Sequence, residues 1–316
     1  MNSKIYFLML FCFVLLSSCE SMLSDLDEDK LPKIDSKLVV ECYISPQSDE
    51  IKVIVTEPQR LFGPANFEPI YIKNASVIIS GEAGQITIPY KDSLNNYVIK
   101  ASEFKIEAGK KYSLLVSDGK RTVKASCRVP GSAAVVKNYT IQPMKEPRYP
   151  GDSSVNVKMS WEDIKGEPNY YALRGYAEIE QKDLAFTSAV EEVKITAHRT
   201  KRVFNFDYED FLYTDTNIDG VTFNSPVYNV SLYQGSIRYT DKEGKPQTAP
   251  TDPILKEVYF EILNMDENYF KFCKTISNNR NSDNPFVEPA LIYTNIVGGL
   301  GCFGAYNAGS LLIKQE

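Results

Sequence analysis

Between Leu38 and Val129 the chain consists of short apolar–polar alternations broken by turn residues. A period of two leaves no continuous helical face and demands a sheet that buries one side. Leu38-Val39-Val40-Glu41-Cys42-Tyr43-Ile44 is rich in β-formers, and Ile51, Val53 and Val55 alternate with Lys52, Ile54 and Thr56. Further runs cover 75–80, 85–90, 96–100, 111–117 and 121–129, punctuated by Gly81, Gly84, Asn95-Asn96, Gly109 and Asp118-Gly119. The Asp-Gly pair between two β runs is a hairpin signal, because both positions tolerate positive φ. Seven strands in about 95 residues predict an Ig- or fibronectin-like β-sandwich over residues 37–130.

Residues 131–153, with Pro143, Pro147, Pro150 and Gly151, read as a linker. A second β-rich domain is predicted over 154–316. It opens with Val155, Val157, Met159 and Trp161 on one face of a strand and continues with long strands at 170–181, 190–206, 227–239 and 257–263. One short C-terminal helix is expected at about 265–277. Asn264 is its predicted cap, Glu267 follows as in a capping box, and Tyr269, Cys273 and Ile276 line its buried face. The fold class expected is mainly β, with a glycine-rich tail.

At the other end, Lys4 precedes an apolar run from Ile5 to Leu16, the length of a signal-peptide core and too short to span a bilayer. Leu16-Ser17-Ser18-Cys19 then resembles a bacterial lipobox. It implies a signal peptide over 1–18, cleavage before Cys19 and attachment of lipid to that sulfur. Residues 19–36, with Glu20, Asp25, Asp27, Glu28 and Asp29, form an acidic tether too poor in apolar residues to pack. Loss of Lys4 with the leader takes the formal charge from −6 to −7 and leaves 298 residues. An acidic exported chain without a basic stripe is not built for nucleic acid.

Four further cysteines, Cys42, Cys127, Cys273 and Cys302, lack the spacing of a zinc site. They leave open two disulfides, of which Cys42–Cys127 and Cys273–Cys302 stay within the predicted domains, or four small buried thiols. His198 is the sole histidine and has no nucleophile elbow near it, which disfavours the common hydrolase triads. Asp215, Asn217, Asp219 and Gly220 match the first half of a calcium loop, with Pro226 where the bidentate glutamate should be. Asp207, Glu209 and Asp210 lie upstream as additional oxygen donors. The other reading of this stretch is a polar turn. Structural calcium is thus the one cofactor with residues to hold it. Glycines 298, 299, 301 and 304 lack the Lys-Ser/Thr of a phosphate loop and are read as sites of positive φ or close backbone packing. Asp92-Ser93-Leu94 resembles a short envelope O-glycosylation site.

The whole mature chain resembles the Bacteroidota outer-membrane lipoproteins catalogued as domain of unknown function 4249. The matching pieces are the lipobox, the Lys37–Glu41 opening, Ala108-Gly109-Lys110-Lys111-Tyr112-Ser113-Leu114-Leu115-Val116 and Asn169-Tyr170-Tyr171. Its most specific part is the tail: Asn284-Pro285-Phe286-Val287-Glu288-Pro289, Tyr293-Thr294-Asn295-Ile296, then Gly298-Gly299-Leu300-Gly301 and Phe303-Gly304-Ala305-Tyr306. Val297 and Cys302 depart from the family pattern. The resemblance implies no enzymatic activity. It implies a lipid-anchored accessory or substrate-capture subunit of a TonB-dependent β-barrel transporter on the outer membrane. The acidic stretch after Cys19 resembles an acidic surface-export signal, which favours the cell surface over the periplasmic face. The alternative is a surface module that binds glycans or peptides alone, and a hydrolase is the third reading.

Overall fold

The structure is a computed structural model. It describes residues 36–59, 68–144, 153–186, 193–204, 211–241, 243–279 and 291–315.

The alternations of the first region become nine strands: β1 (Val39–Ile44), β2 (Glu50–Glu57), β3 (Ile70–Tyr71), β4 (Ser76–Gly81), β5 (Gly84–Thr87), β6 (Tyr90–Lys91), β7 (Asn96–Lys100), β8 (Lys111–Ser117) and β9 (Thr122–Arg128). β6–β7–β2–β1 form part of one sheet, with β3 on β2, and β5–β4–β8–β9 form another. Their inward residues meet in one core. Val40, Cys42, Ile51 and Val53 from the first sheet share it with Val77, Ile79, Leu114, Val116 and Val123 from the second. This is a β-sandwich. The Asp118-Gly119 turn joins β8 to β9 with Gly119 at φ +89°. Burial pushes the Asp118 carboxyl up, but the backbone N–H groups of Arg121 and Lys120 and the Arg121 guanidinium outweigh it and hold the carboxyl at about 2.

The second region supplies β10 (Val136–Pro143), β11 (Val155–Glu162), β12 (Tyr170–Phe186), β13 (Val193–Val203), β14 (Leu212–Thr214), β15 (Thr222–Asn224) and β16 (Tyr228–Val230). It continues with β17 (Ser236–Thr240), β18 (Pro246–Pro250), β19 (Ile254–Met265), helix α1 (Glu267–Asn278) and β20 (Leu300–Lys314). A small sheet of β10, β11, β15 and β16 covers the inner faces of β12, β19 and β20. Trp161, fully buried, centres this second core, with Phe223, Tyr213 and Tyr171 rings 5.1–5.9 Å away.

The two regions share one strand. The C-terminal half of β20 runs antiparallel to β19, from Met265↔Tyr306 to Glu257↔Lys314. Its N-terminal half runs parallel to β1, from Val39↔Leu300 to Ile44↔Ala305. The sheet order β13–β12–β19–β20–β1–β2–β7–β6 is therefore continuous. Ile296, Phe303 and Ala305 belong to the first core although they come from the chain's end. The predicted boundary between 37–130 and 154–316 divides the loops but not this sheet.

Three local expectations also change. The stretch read as a linker contains β10, an edge strand whose mostly exposed side chains gave no alternation to recognise. Residues 227–239 are two strands in different sheets, because β16 pairs with β11 and β17 with β18. Asn264 is not the helix cap. It lies in β19 opposite Asn307 and Tyr171, and its side chain donates to Ser132 O at 3.0 Å. Asp266 caps α1 instead, its Oδ1 accepting from Tyr269 N at 2.7 Å.

Gly301 makes the β1–β20 approach possible. It sits at φ +101°, and a Cβ there would lie 2.2 Å from Val40 O. Backbone strain and overlap with a main-chain oxygen that cannot rotate away both oppose any side chain. Gly301→Ala is expected to destabilise the protein by about 3 kcal/mol. Because β20 serves both cores, chemical denaturation followed by Trp161 fluorescence and by far-UV dichroism should shift together. Movement of one signal alone would refute the shared-strand account.

Candidate functional site

Several sequence candidates lie outside the described residues: the leader, Cys19, Asp207, Glu209, Asp210 and the Asn284–Pro289 motif. Among the described residues no helix is long and apolar enough to cross a membrane. His198 is exposed on β13, in register with Gln181, and its neighbour Arg199 pairs with Glu178 and Glu180. Asp92–Leu94 forms an exposed 3-10 turn.

The half calcium loop gains an unpredicted member. Carboxylate oxygens of Asp163, Asp215 and Asp219 lie within 4.8 Å of one another. Asn217, at φ +69°, shapes the turn. Each carboxylate already accepts hydrogen bonds. Asp163 takes Tyr171 Oη and Gly220 N, both at 2.8 Å, while Asp215 takes Asn169 N and Asp219 takes Gly166 N, both at 3.0 Å. The group has the oxygen chemistry for a hard cation, and its existing bonds also make it a complete polar turn.

The four cysteines are free thiols, the second of the two readings that their spacing left open. Cys42 and Cys127 point into the first core, and Cys302 is fully buried on the opposite face of β20, its Sγ 3.8 Å from Asn268 O. They occupy places that a small hydrophobe would fill. Burial pushes the thiols of Cys42, Cys127 and Cys302 far up, and that of half-buried Cys273 up to about 11.

A groove of about 870 Å³ lies on the outward side of the continuous sheet. Alternation along β1 places it: Val40, Cys42 and Ile44 enter the first core, so Glu41 and Tyr43 must face outward. The same rule turns Arg174 out from β12 between Leu173 and the buried Gly175. Tyr43 stacks on Tyr269 of α1, centroids 4.3 Å apart, and its hydroxyl reaches Glu41 at 3.4 Å. Arg174 donates to Tyr269 Oη at 3.2 Å and lies 5.5 Å from the centre of the Tyr306 ring. One wall is the turn after β1. There Gln47 Nε2 donates to Asn307 Oδ1 at 2.9 Å, and Gln47 Oε1 accepts from Ala308 N at 3.0 Å.

Charge in the groove is mixed. Glu41, Asp49, Glu50 and Glu261 line it together with Lys52, Lys100 and Arg174. Among the described residues only Lys52 and Glu50 form an ion pair here, at 3.0 Å. Glu261 stands opposite Arg174 in register but accepts from Tyr259 Oη at 3.3 Å. None of these positions was predicted as a site. The available signal was a glutamate at the centre of the apolar run 38–44, where a sheet covered on both sides would not keep one.

Helix α1 flanks this groove through Tyr269 and is tied to β20 by Asp266. Asp266 Oδ2 accepts from Ala305 N at 3.0 Å, and Asp266 N donates to Ala305 O at 2.9 Å. Burial raises this carboxyl to about 7, against the opposing pull of the Tyr269, Ala305 and Asn268 N–H groups. Since the folded value exceeds the ordinary one near 3.8, this contribution is complete below about pH 4 and lost as pH rises through about 7. The tail motif supports the same strand: Asn295 Oδ1 accepts from Phe303 N at 3.0 Å, and its Nδ2 donates to Phe303 O at 2.8 Å.

Two outcomes are expected. Asp266→Asn should flatten the stability difference between pH 4 and pH 7 by about 3 kcal/mol relative to the parent, read from denaturation midpoints. With a thiol reagent at pH 8 and no reductant, Cys273 should react first and Cys42, Cys127 and Cys302 only on unfolding. A denatured protein that still lacks two or more of these thiols would restore the bridges.

A family model described as "Domain of unknown function (DUF4249)" matches residues 24–311. No curated protein matches the chain. Among solved structures it is similar to a two fibronectin type-III domain segment from chicken tenascin, at 10% identity over 73% of this chain and 91% of that one, with a TM-score of 0.18. It is also similar to the B domain of a biofilm associated protein, at 8% identity over 88% and 85% of the two chains, with a TM-score of 0.15. The family match covers most of the chain and ends within β20, and the chain belongs to the family of the domain of unknown function 4249.

Proposed function

We propose that this protein is a non-enzymatic, lipid-anchored subunit that captures substrate for a TonB-dependent nutrient-uptake transporter in the outer membrane. The observation that carries the reading is the groove, an open concavity of about 870 Å³ lined by charged and tyrosine side chains on a sheet face that neither core uses. Its volume is that of a small-molecule site. Its walls are held by main-chain and side-chain bonds to β20, so the shape is present before a ligand arrives. The buried thiols are poor nucleophiles. The leader and Cys19 supply the anchor, and a tethered capture site acts at raised effective concentration beside a membrane partner.

Gentle detergent extraction of the tagged protein is expected to bring down a large outer-membrane barrel in stoichiometric amount. Cys19→Ala should move the protein out of the membrane fraction, and protease shaving of intact cells should degrade the parent. A solitary protein in native pull-downs would favour the module that binds glycans or peptides alone.

A further inference from the structure

The floor of the groove is a run of contacts between two opposite charges. Glu41 stands in the middle of β1, and among the described residues its carboxylate is met by the Tyr43 hydroxyl alone, at 3.4 Å. Tyr43 stacks on Tyr269, whose hydroxyl accepts from Arg174, and the guanidinium lies over Tyr306. Among the described residues neither Glu41 nor Arg174 has an oppositely charged group within 4 Å. Glu50 pairs with Lys52, and Lys100 stands opposite Glu50 in register. Glu261 stands opposite Arg174 in register and accepts from the Tyr259 hydroxyl.

We propose that the groove binds short peptides with free termini, the ligand's α-carboxylate on Arg174 and its α-ammonium on Glu41. The inference rests on the capture reading and names its substrate class. A guanidinium steadied by phenol and ring presents its donors in a fixed plane, the geometry that matches a carboxylate. A carboxylate on a rigid strand accepts from an ammonium, whose donors are free to rotate. One cavity holding both, each hydrogen-bonded to a phenol and neither in an ion pair among the described residues, is complementary to a zwitterion. A neutral glycan would cover both charges without neutralising either. An acidic glycan would meet Arg174 but be repelled by Glu41, Asp49 and Glu261. The volume exceeds that of one amino acid, and an extended peptide adds about 3.3–3.6 Å per residue.

The test is equilibrium dialysis of the mature protein against a tripeptide library with free termini, and against the same library N-acetylated or C-amidated, with retained peptides read by mass spectrometry. Retention of the free form at least tenfold above either blocked form is expected. Arg174→Gln should erase discrimination against the amide alone, and Glu41→Gln against the acetyl cap alone, with thermal melts showing that both variants fold. Equal retention of the three forms, or retention of none, overturns the proposal. Capture of a neutral oligosaccharide mixture while peptides pass freely overturns the peptide assignment and leaves the capture reading standing. Peptide binding by a protein that brings down no barrel keeps the peptide site and removes the transporter.

Discussion

The parallel pairing of β1 with β20 is the constraint on which the rest of the structure depends. Six consecutive register pairs join the first strand of the folded unit to its last. Without them β1 would be an edge, and the first core would lose Phe303 and Ala305. The same strand seats α1: Gly304 lies under Tyr269, where a Cβ would come within 2.6 Å of the tyrosine side chain. A mixed sheet is tolerated here because the inner face of its central strands is covered and its outer face is polar or lies under the helix.

Much of this architecture is legible in the chain. The period-two runs of β1, β2, β8 and β9 reappear as strict buried–exposed alternation, and the 3.6-residue period of α1 survives with a different cap. The signal fails where long-range pairing decides. β10 has little buried surface and is a strand because β11 lies beside it. Asn264 is a good cap by local rules, yet pairing with Asn307 and Tyr171 keeps it extended for two residues beyond the point where a helix could start. The glycine-dense tail is read as a place of close packing, which is its role, but nothing local says that its partner is some 260 residues away.

The candidate site was less legible, for a related reason. Glu41 and Arg174 lie on strands separated by β19 and β20, and no spacing motif can announce a pair that only sheet order brings to one groove. The aspartate trio shows the same limit on a smaller scale. Two of its members are four residues apart, and the third, Asp163, arrives from the connection between β11 and β12. Local motifs detect turns well because their partners are near in sequence. Concavities on a sheet face are properties of topology.

A strand order that joins the first strand to the last also governs when the molecule can form. β1 leaves the ribosome some 260 residues ahead of its parallel neighbour. Closing that loop is slow, since it brings together segments separated by nearly the whole chain. Until Leu300–Ala305 arrive, the first core lacks one side of its sheet and β1 has an open edge. Such a chain remains unfinished until then. Completion waits for β20, so topology itself delays folding until that strand has been made.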